Sequence, residues 1–307
     1  MILSSDWHTR PSSPRARIDD FLLAQDTKMN FICQEAVKSP PLIIAGDLCH
    51  TPRSGPWVEQ YLIRLFHHYD LQVIITLGQH DLPGHSLFQI DHSSVGVLEA
   101  AIVVQILTKE SAPIIVNDWA IWGCAYGEEP DRSMVDVTKN NLLIWHKMVI
   151  RDVPLWPGQI ADKSSAILRQ YSNYQIICSG DNHQSFAIAE VDQISHPDIK
   201  PITMPRRWLI NPGSLMRMTA AQVDHKPHIY KWEDRTLTPI PIPIEPDVLD
   251  LSELEAARDK DGRIQAFVER LSTEWETGLS FEKNIENYFQ KNETSKEVQD
   301  LVWRCLG

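Results

Sequence analysis

The sequence predicts an α/β fold, and three observations predict it. Short apolar runs alternate with amphipathic stretches, acidic and imidazole residues recur just past the ends of those runs, and 307 residues suffice for one large domain with a small appendage. The first strand precedes Asp6-Trp7-His8. Ile18–Val37 has helical spacing, and Pro41-Leu42-Ile43-Ile44-Ala45 reads as a buried strand ending at Gly46-Asp47. Trp57–His68 is again helical, with Trp57, Tyr61, Leu62 and Leu65 on one face. Val73-Ile74-Ile75-Thr76-Leu77 is the next strand, and further strands are expected at Ala120–Cys124, Leu142–Ile150, Tyr174–Ser179 and Trp208–Ile210. Trp119, Trp122, Trp145 and Trp208 lie in these apolar patterns and read as core.

Proline and isoleucine alternate between Pro239 and Pro246, as in an extended edge strand or connector. Beyond it the chain turns helical and charged. Ile264, Phe267, Val268 and Leu271 share a helical face, and Thr294 to Glu297 forms a capping box before Val298, Leu301 and Val302. The division expected is residues 1–246 as the main domain and 247–307 as a helical tail, either packed on that domain or docking a partner.

Five cysteines without CxxC spacing fit reduced thiols in a cytoplasm better than a disulfide framework. Met1-Ile2-Leu3 gives way to polar residues at once, so no leader is expected, and no apolar run reaches the length of a membrane span. The net charge of −12 argues against autonomous, tight grip on a polyanion. Carboxylates that bind cations lessen the objection, since bound divalent ions reverse the local sign. Arg10, Arg15 and Arg17, and again Arg206 and Arg207, are local basic groups. Arg15 and Arg17 either meet phosphates or pair with Asp19 and Asp20, and Arg206-Arg207 reads as a solvated loop pair.

Six short segments bear chemistry: Asp6-Trp7-His8, Gly46-Asp47-Leu48-Cys49-His50, Gly78-Gln79-His80-Asp81, His146, Gly180-Asp181-Asn182-His183 and Asn211-Pro212-Gly213-Ser214. Each is weak alone, because Asp and Asn are common turn formers and a histidine between apolar neighbours is ordinarily structural. The series in this order is stronger. Such a set suits two cations bridged by a shared carboxylate, spaced about 3.5–4 Å so as to hold the attacking and leaving oxygens of a phosphoryl displacement. His67, His68, His85 and His92 read as surface residues, and His196, His225 and His228 have no motif support.

This series resembles that of calcineurin-like metallophosphoesterases. Ser5-Asp6-Trp7-His8 is similar to the opening of SbcD-type DNA exonuclease subunits, and Pro14-Arg15-Ala16-Arg17 with Gln79-His80-Asp81-Leu82-Pro83 to phage-borne versions. The resemblance covers residues 1 to about 245. It implies a four-layer sandwich, two mixed sheets flanked by helices. It also implies one metal on Asp6, His8, Asp47 and His183, and a second on Asp47, Gln79, His146 and Asp181. His80 would act at the scissile phosphate with Asp81 orienting it, and His50, Arg15 and Arg17 would be candidates for substrate contact. Gln79 stands where the pattern usually has Asn and Asp181 where it has His, which favours Mn²⁺ or Mg²⁺ over softer ions. The implied function is metal-dependent cleavage of DNA, exonucleolytic alone or also endonucleolytic on single strands, by a homodimer joined to an SbcC-like coiled-coil ATPase. This chain has no phosphate loop of its own. The alternatives are a phosphatase or small-molecule phosphodiesterase on the same site, and a catalytically weak scaffold in a DNA-handling or defence complex.

Overall fold

A computed structural model describes residues 1–131, 133, 135–154, 159, 161–196, 199–252 and 281–306. Contacts divide the chain into two units, Met1–Leu249 and Asp250–Gly307. The first ends at Leu249 because Val248 accepts a hydrogen bond from the Ile18 amide and Leu249 bridges to Arg17.

In the first unit β1 (Ile2–Ser4), α1 (Phe21–Lys38), β2 (Leu42–Ala45), α2 (Pro56–His68), β3 (Val73–Thr76), α3 (Ser94–Ala100) and β4 (Gln105–Ile106) alternate. There follow β5 (Ile114–Val116), β6 (Trp119–Cys124), β7 (Asn140–His146), β8 (Val149–Ile150), β9 (Asp162–Lys163), α4 (Ser164–Gln170), β10 (Ile176–Gly180), β11 (Phe186–His196), β12 (Ile199–Asn211), β13 (His228–Glu233) and β14 (Thr236–Pro241). One six-stranded sheet has the order β14-β13-β1-β2-β3-β4, the other β11-β12-β10-β7-β6-β5, and β8 pairs with β9 alone. Both large sheets are mixed. Strands β1 to β4 run parallel, as do β6, β7, β10 and β12, while the β13–β14 pair, β11 and β5 join through antiparallel pairing.

The period-2 alternation of a strand explains the layering. Leu42 and Ile44 of β2 pack with Met29, Ile32, Leu62 and Phe66 of the helices, whereas Ile43 and Ala45 point into the gap between sheets, against Leu142, Ile144 and Cys178. On the far side Leu143, Trp145 and Ile177 pack with Ile167 and Leu168 of α4. Strands covered on both faces read as unbroken apolar runs, which is why β2 and β3 are conspicuous in sequence. The result is the expected four-layer sandwich.

Several boundaries move. α1 begins three residues after Ile18 because Asp20 caps it, accepting from the Leu23 amide at 3.0 Å, and Ile18 is held instead by the 248–249 segment. α2 buries Val58, Leu62, Leu65 and Phe66, whereas Trp57 is 48% exposed and stacks on Tyr61. Leu142–Ile150 splits into β7 and β8, which belong to different sheets. Of the four tryptophans read as core only Trp145 is fully buried, and Trp119, Trp122 and Trp208 pack half-buried at its margins. Arg207 is not a solvated loop residue. It sits in β12, 5% exposed, paired with Glu190 and donating to the Leu168 carbonyl, because its strand position points it inward beneath α4. β14 is an edge strand whose Pro239 and Pro241 face Tyr230 and His228.

In the second unit α5 (Phe281–Lys291) and α6 (Lys296–Leu306) form a pair around Ile285, Phe289 and Trp303. α6 starts after Ser295, whose carbonyl accepts from the Val298 and Gln299 amides, one residue later than the Thr294 cap expected. Ile264, Phe267, Val268 and Leu271 lie outside the described residues. Among the described residues no helix is long and apolar enough to cross a membrane.

Candidate metal centre

The parallel strands end side by side, and open α/β sheets gather ligand-binding loops at such ends. The loop after β1 brings Asp6 and His8, that after β2 Asp47 and His50, and that after β3 Gln79, His80 and Asp81. β7 ends on His146, and the loop after β10 brings Asp181 and His183. Asp6, His8, Asp47 and Asp181 all have left-handed backbone, with φ of 49, 47, 52 and 79°. Such strain costs about 1–3 kcal/mol per residue and persists only where surroundings over-determine it. Here the loops hold one another: the amides of Asp6 and His8 donate to the carbonyls of Gly46 and Asp47 at 3.1 and 2.9 Å. Close approach also fixes Gly78 and Gly180. A Cβ on Gly78 would overlap the Asp47 carboxylate, and one on Gly180 would overlap the Ala45 carbonyl oxygen.

The buried polar atoms that find no hydrogen-bond partner include Asp6 Oδ2, His8 Nδ1, Asp47 Oδ2, Gln79 Oε1 and His146 Nε2. Their other polar atoms are spoken for. His146 Nδ1 contacts the Ala45 carbonyl at 2.7 Å, which makes it the protonated nitrogen and leaves Nε2 as a bare lone pair. Asp47 Oδ1 accepts from the His80 amide at 2.9 Å, and Asp6 Oδ1 from the Asp181 amide at 3.0 Å. Asp47 Oδ2 lies 3.7 Å from His8 Nε2 and 3.6 Å from His146 Nε2, and His8 Nε2 lies 3.1 Å from His183 Nε2. Two ligands each about 2.1 Å from one ion, at 90–120°, stand roughly 3.0–3.6 Å apart. The observed separations match that edge length, and the two involving Asp47 exceed a hydrogen bond. Asp6, His8 and His183 make one such group and Asp6, Asp47 and His146 another. Burial of unpaired acceptors is costly unless a cation satisfies them, so the donor set fits divalent metal.

Electrostatics point the same way. Burial, chiefly, pushes the Asp6 and Asp47 carboxyls up, and it pushes the His8 and His183 imidazoles down. The centre is therefore a pocket of bases short of positive charge. Gln79 and Asp181 are joined: Gln79 Nε2 donates to Asp181 Oδ1 at 2.7 Å, which turns Gln79 Oε1 the other way. Asp181 stands outside the two groups named above.

The structure gives Asp81 a different contact from the one expected. Its carboxylate accepts from the amides of Cys49 and Gly78, both at 3.0 Å, so it ties the second and third loops together and does not touch the His80 ring. His80 is oriented by the His50 carbonyl, 2.9 Å from its Nδ1. Fully buried, Asp81 has its carboxyl pushed up to about 7 by desolvation. The His50 ring stacks on His80 and touches Arg10 at 3.2 Å, and burial and Arg10 together push it down to about 4. His8, His50 and His80 form a third cluster of nitrogen donors. Arg17 is buried and forked onto Asp19 at 2.6 and 2.5 Å, so its guanidinium faces the fold, while Arg15 is exposed. Trp7 is wholly buried against Phe66, its indole N–H on Ser4 Oγ, and faces the core.

The Asn211–Ser214 segment, last of the six in the sequence series, braces the loops. Asn211, fully buried, donates to the carbonyls of Asn182 and Gln184 at 2.5 and 2.7 Å and accepts from Ser179 Oγ at 3.2 Å. The Ser214 amide donates to the His183 carbonyl, and the Leu215 amide to that of Asp6. Arg10 had a signal, since it lies two residues past His8 in the same loop.

No family model matches the chain, and a search of curated proteins finds no match. Solved structures are distantly similar. TT1561 of Thermus thermophilus is 9% identical, with 70% of this chain and 93% of that one covered and a TM-score of 0.43. A calcineurin-like phosphoesterase, YfkN from Bacillus subtilis, is 12% identical over 84% of this chain and 96% of that one, with a TM-score of 0.42. A metallophosphoesterase from Sphaerobacter thermophilus is 14% identical over 85% and 95%, with a TM-score of 0.35. At such values any assignment falls to the site itself.

Proposed function

We propose that the chain is a calcineurin-like metallophosphoesterase that cleaves phosphodiesters with two divalent cations, and that its substrate is DNA. One observation carries the reading: Asp47 Oδ2 is buried and unpaired, 3.7 Å from His8 Nε2 and 3.6 Å from His146 Nε2. Asp6, His8, Asp47 and His183 would hold one cation; Asp47, His146 and Gln79 Oε1, with Asp181 beside it, a second. Hard oxygen donors on that second side favour Mn²⁺ or Mg²⁺. When bound, the cations supply charge neutralisation and activation of water for in-line displacement.

The chain's own residues do the rest. The His50 carbonyl fixes the His80 tautomer with the proton on Nδ1, which frees Nε2 to hold or deliver a proton at the substrate oxygen. Asp81 fixes the distance between His80 and Asp47 by clamping their loops. Arg10, set against His50 at 3.2 Å, supplies positive charge for a phosphate oxygen. The DNA substrate is supported by the likeness of Ser5–His8 to SbcD-type subunits and of Pro14–Arg17 with Gln79–Pro83 to phage-borne versions. With a net charge of −12, a basic ATPase partner of SbcC type would supplement the grip on DNA.

The test is hydrolysis of labelled linear DNA in Mn²⁺, Mg²⁺ and EDTA, with His80→Ala and Asp47→Ala alongside. Nucleotide release in Mn²⁺, lost in EDTA and in both variants, is the expected result. Turnover of a nitrophenyl monoester with no cleavage of DNA would make the protein a phosphatase instead.

A further inference from the structure

Two cavities lie beside the metal centre and take no part in the chemistry above. The larger, of about 530 Å³, is bordered by His183 itself and lined by Gln184, His225, Lys226, His228 and Tyr230 among others. The smaller, of about 420 Å³, is lined by Arg151, Asp152, Asn182 and Phe186 and shares Gln184 and Ser185 with the first. The shared wall is the segment after β10 that also carries Asp181 and His183. The two cavities thus adjoin along the metal loop as one interrupted trough, with Lys226 lining one part and Arg151 the other.

Its chemistry is that of a nucleotide site more than of a phosphate site. Lys226 and Arg151 share it with Asp224 and Asp152, so charge is nearly balanced and cannot by itself hold an anion. What remains is flat and hydrogen-bonding. His228 Nδ1 is committed to the Lys226 carbonyl at 2.7 Å, which leaves Nε2 free to meet a ligand. Tyr230 OH and Ser185 Oγ, 3.0 Å apart, link β13 to the segment before β11, and Gln184 is exposed with its backbone pinned by Asn182 and Asn211. Rings and amides recognise base faces and edges, and Arg151, 3.6 Å from Asp152, borders that surface. Either cavity falls in the volume range of a small-molecule pocket, about 300–1,000 Å³.

We propose that this trough seats the nucleotides on one side of the scissile phosphate, so that the protein selects a nucleic-acid strand over small phosphodiesters. The inference rests on the metal centre being a phosphodiesterase. Lys226, His228, Gln184 and Arg151 are the specificity residues it assigns, and none touches the reacting atoms.

The experiment uses the full chain in Mn²⁺ with two substrates, bis(p-nitrophenyl) phosphate and a fluorescein-labelled single-stranded oligonucleotide of about 12 nucleotides. Oligonucleotide binding is followed by anisotropy in EDTA as well. Lys226→Ala combined with His228→Ala, and separately Gln184→Ala with Arg151→Ala, should weaken oligonucleotide binding about tenfold each, near 1.4 kcal/mol. They should cut kcat/KM for the oligonucleotide at least tenfold more than for the small diester. Parallel losses on both substrates, or no loss on the oligonucleotide, would overturn the trough while leaving the metal centre standing. Wild-type turnover of the small diester without oligonucleotide binding would do the same. If the wild type hydrolyses neither substrate, the phosphodiesterase reading falls and the trough proposal falls with it.

Discussion

Asn211→Ala should lower the thermal midpoint of the cation-free protein by roughly 6–10 °C, and it should weaken cation binding as well. Asn211 is fully buried and makes three hydrogen bonds, two donated to the carbonyls of Asn182 and Gln184 and one accepted from Ser179. Alanine leaves two buried carbonyls and a hydroxyl without it, at about 1–3 kcal/mol for each group that stays unsatisfied. Ser179 Oγ can turn toward the Ile210 carbonyl, 3.5 Å away, so the net loss is about 3–5 kcal/mol. In a domain of this size each kcal/mol moves the midpoint by about 2 °C. The same bonds pin the segment carrying Asp181 and His183, and losing a brace behind metal ligands weakens affinity about 10–100-fold. Calorimetric melting in EDTA and titration with Mn²⁺ measure the two effects separately. Asn211→Asp should do no better, because its second oxygen would face two carbonyls. A midpoint within about 2 °C of wild type, with unchanged Mn²⁺ affinity, would show that Asn211 is not the brace described.

Gly78→Ala should cost activity about hundredfold or more and destabilise the fold by about 1–3 kcal/mol, because a Cβ there overlaps both the Asp47 carboxylate and the Asp47 backbone nitrogen; steady-state rates with thermal melts check it. Gln79→Asn shortens the amide by one methylene and breaks the bond to Asp181, so calorimetric Mn²⁺ titration should show one binding event weakened about tenfold and the other unchanged. The stabilisation conferred by Mn²⁺ should grow between about pH 6.5 and pH 8.5. Asp6 and Asp47 have folded-state values raised by burial into the neutral range, so their contribution is complete below the unfolded value near 3.9 and is lost as pH rises through the raised ones. His8 and His183 are depressed, and their contribution is complete above about 6.5, so they do not offset the loss in this window. Melting curves with and without Mn²⁺ across that range test the sign.

The strands that flank the site were legible because each buries both faces and so reads as an apolar run that ends abruptly in Asp or His. Ile43 faces one layer and Ile44 another, and nothing polar interrupts them. The edges were harder. β11 and β12 carry polar residues through a long hairpin, and Arg207 looked solvated because its partners are the Glu190 carboxylate and the backbone carbonyls of α4, which no local pattern reveals. The candidate ligands came from the family resemblance, whereas the contacts around them were not legible in sequence. Asp81 adjoins His80 in sequence, yet it serves the amides of Cys49 and Gly78, while the His80 ring finds a carbonyl thirty residues away. Trp57 took the wrong side of α2 because stacking on Tyr61 satisfies it at the surface.

The measurement to make first counts Mn²⁺ per chain by native mass spectrometry while bis(p-nitrophenyl) phosphate hydrolysis is followed in wild type and Asp47→Ala. The bridging role proposed for Asp47 predicts two ions and turnover in the wild type, and at most one ion and no turnover in the variant. Turnover that survives Asp47→Ala or EDTA, or a wild type that takes up no Mn²⁺, would contradict a two-metal centre built on Asp47.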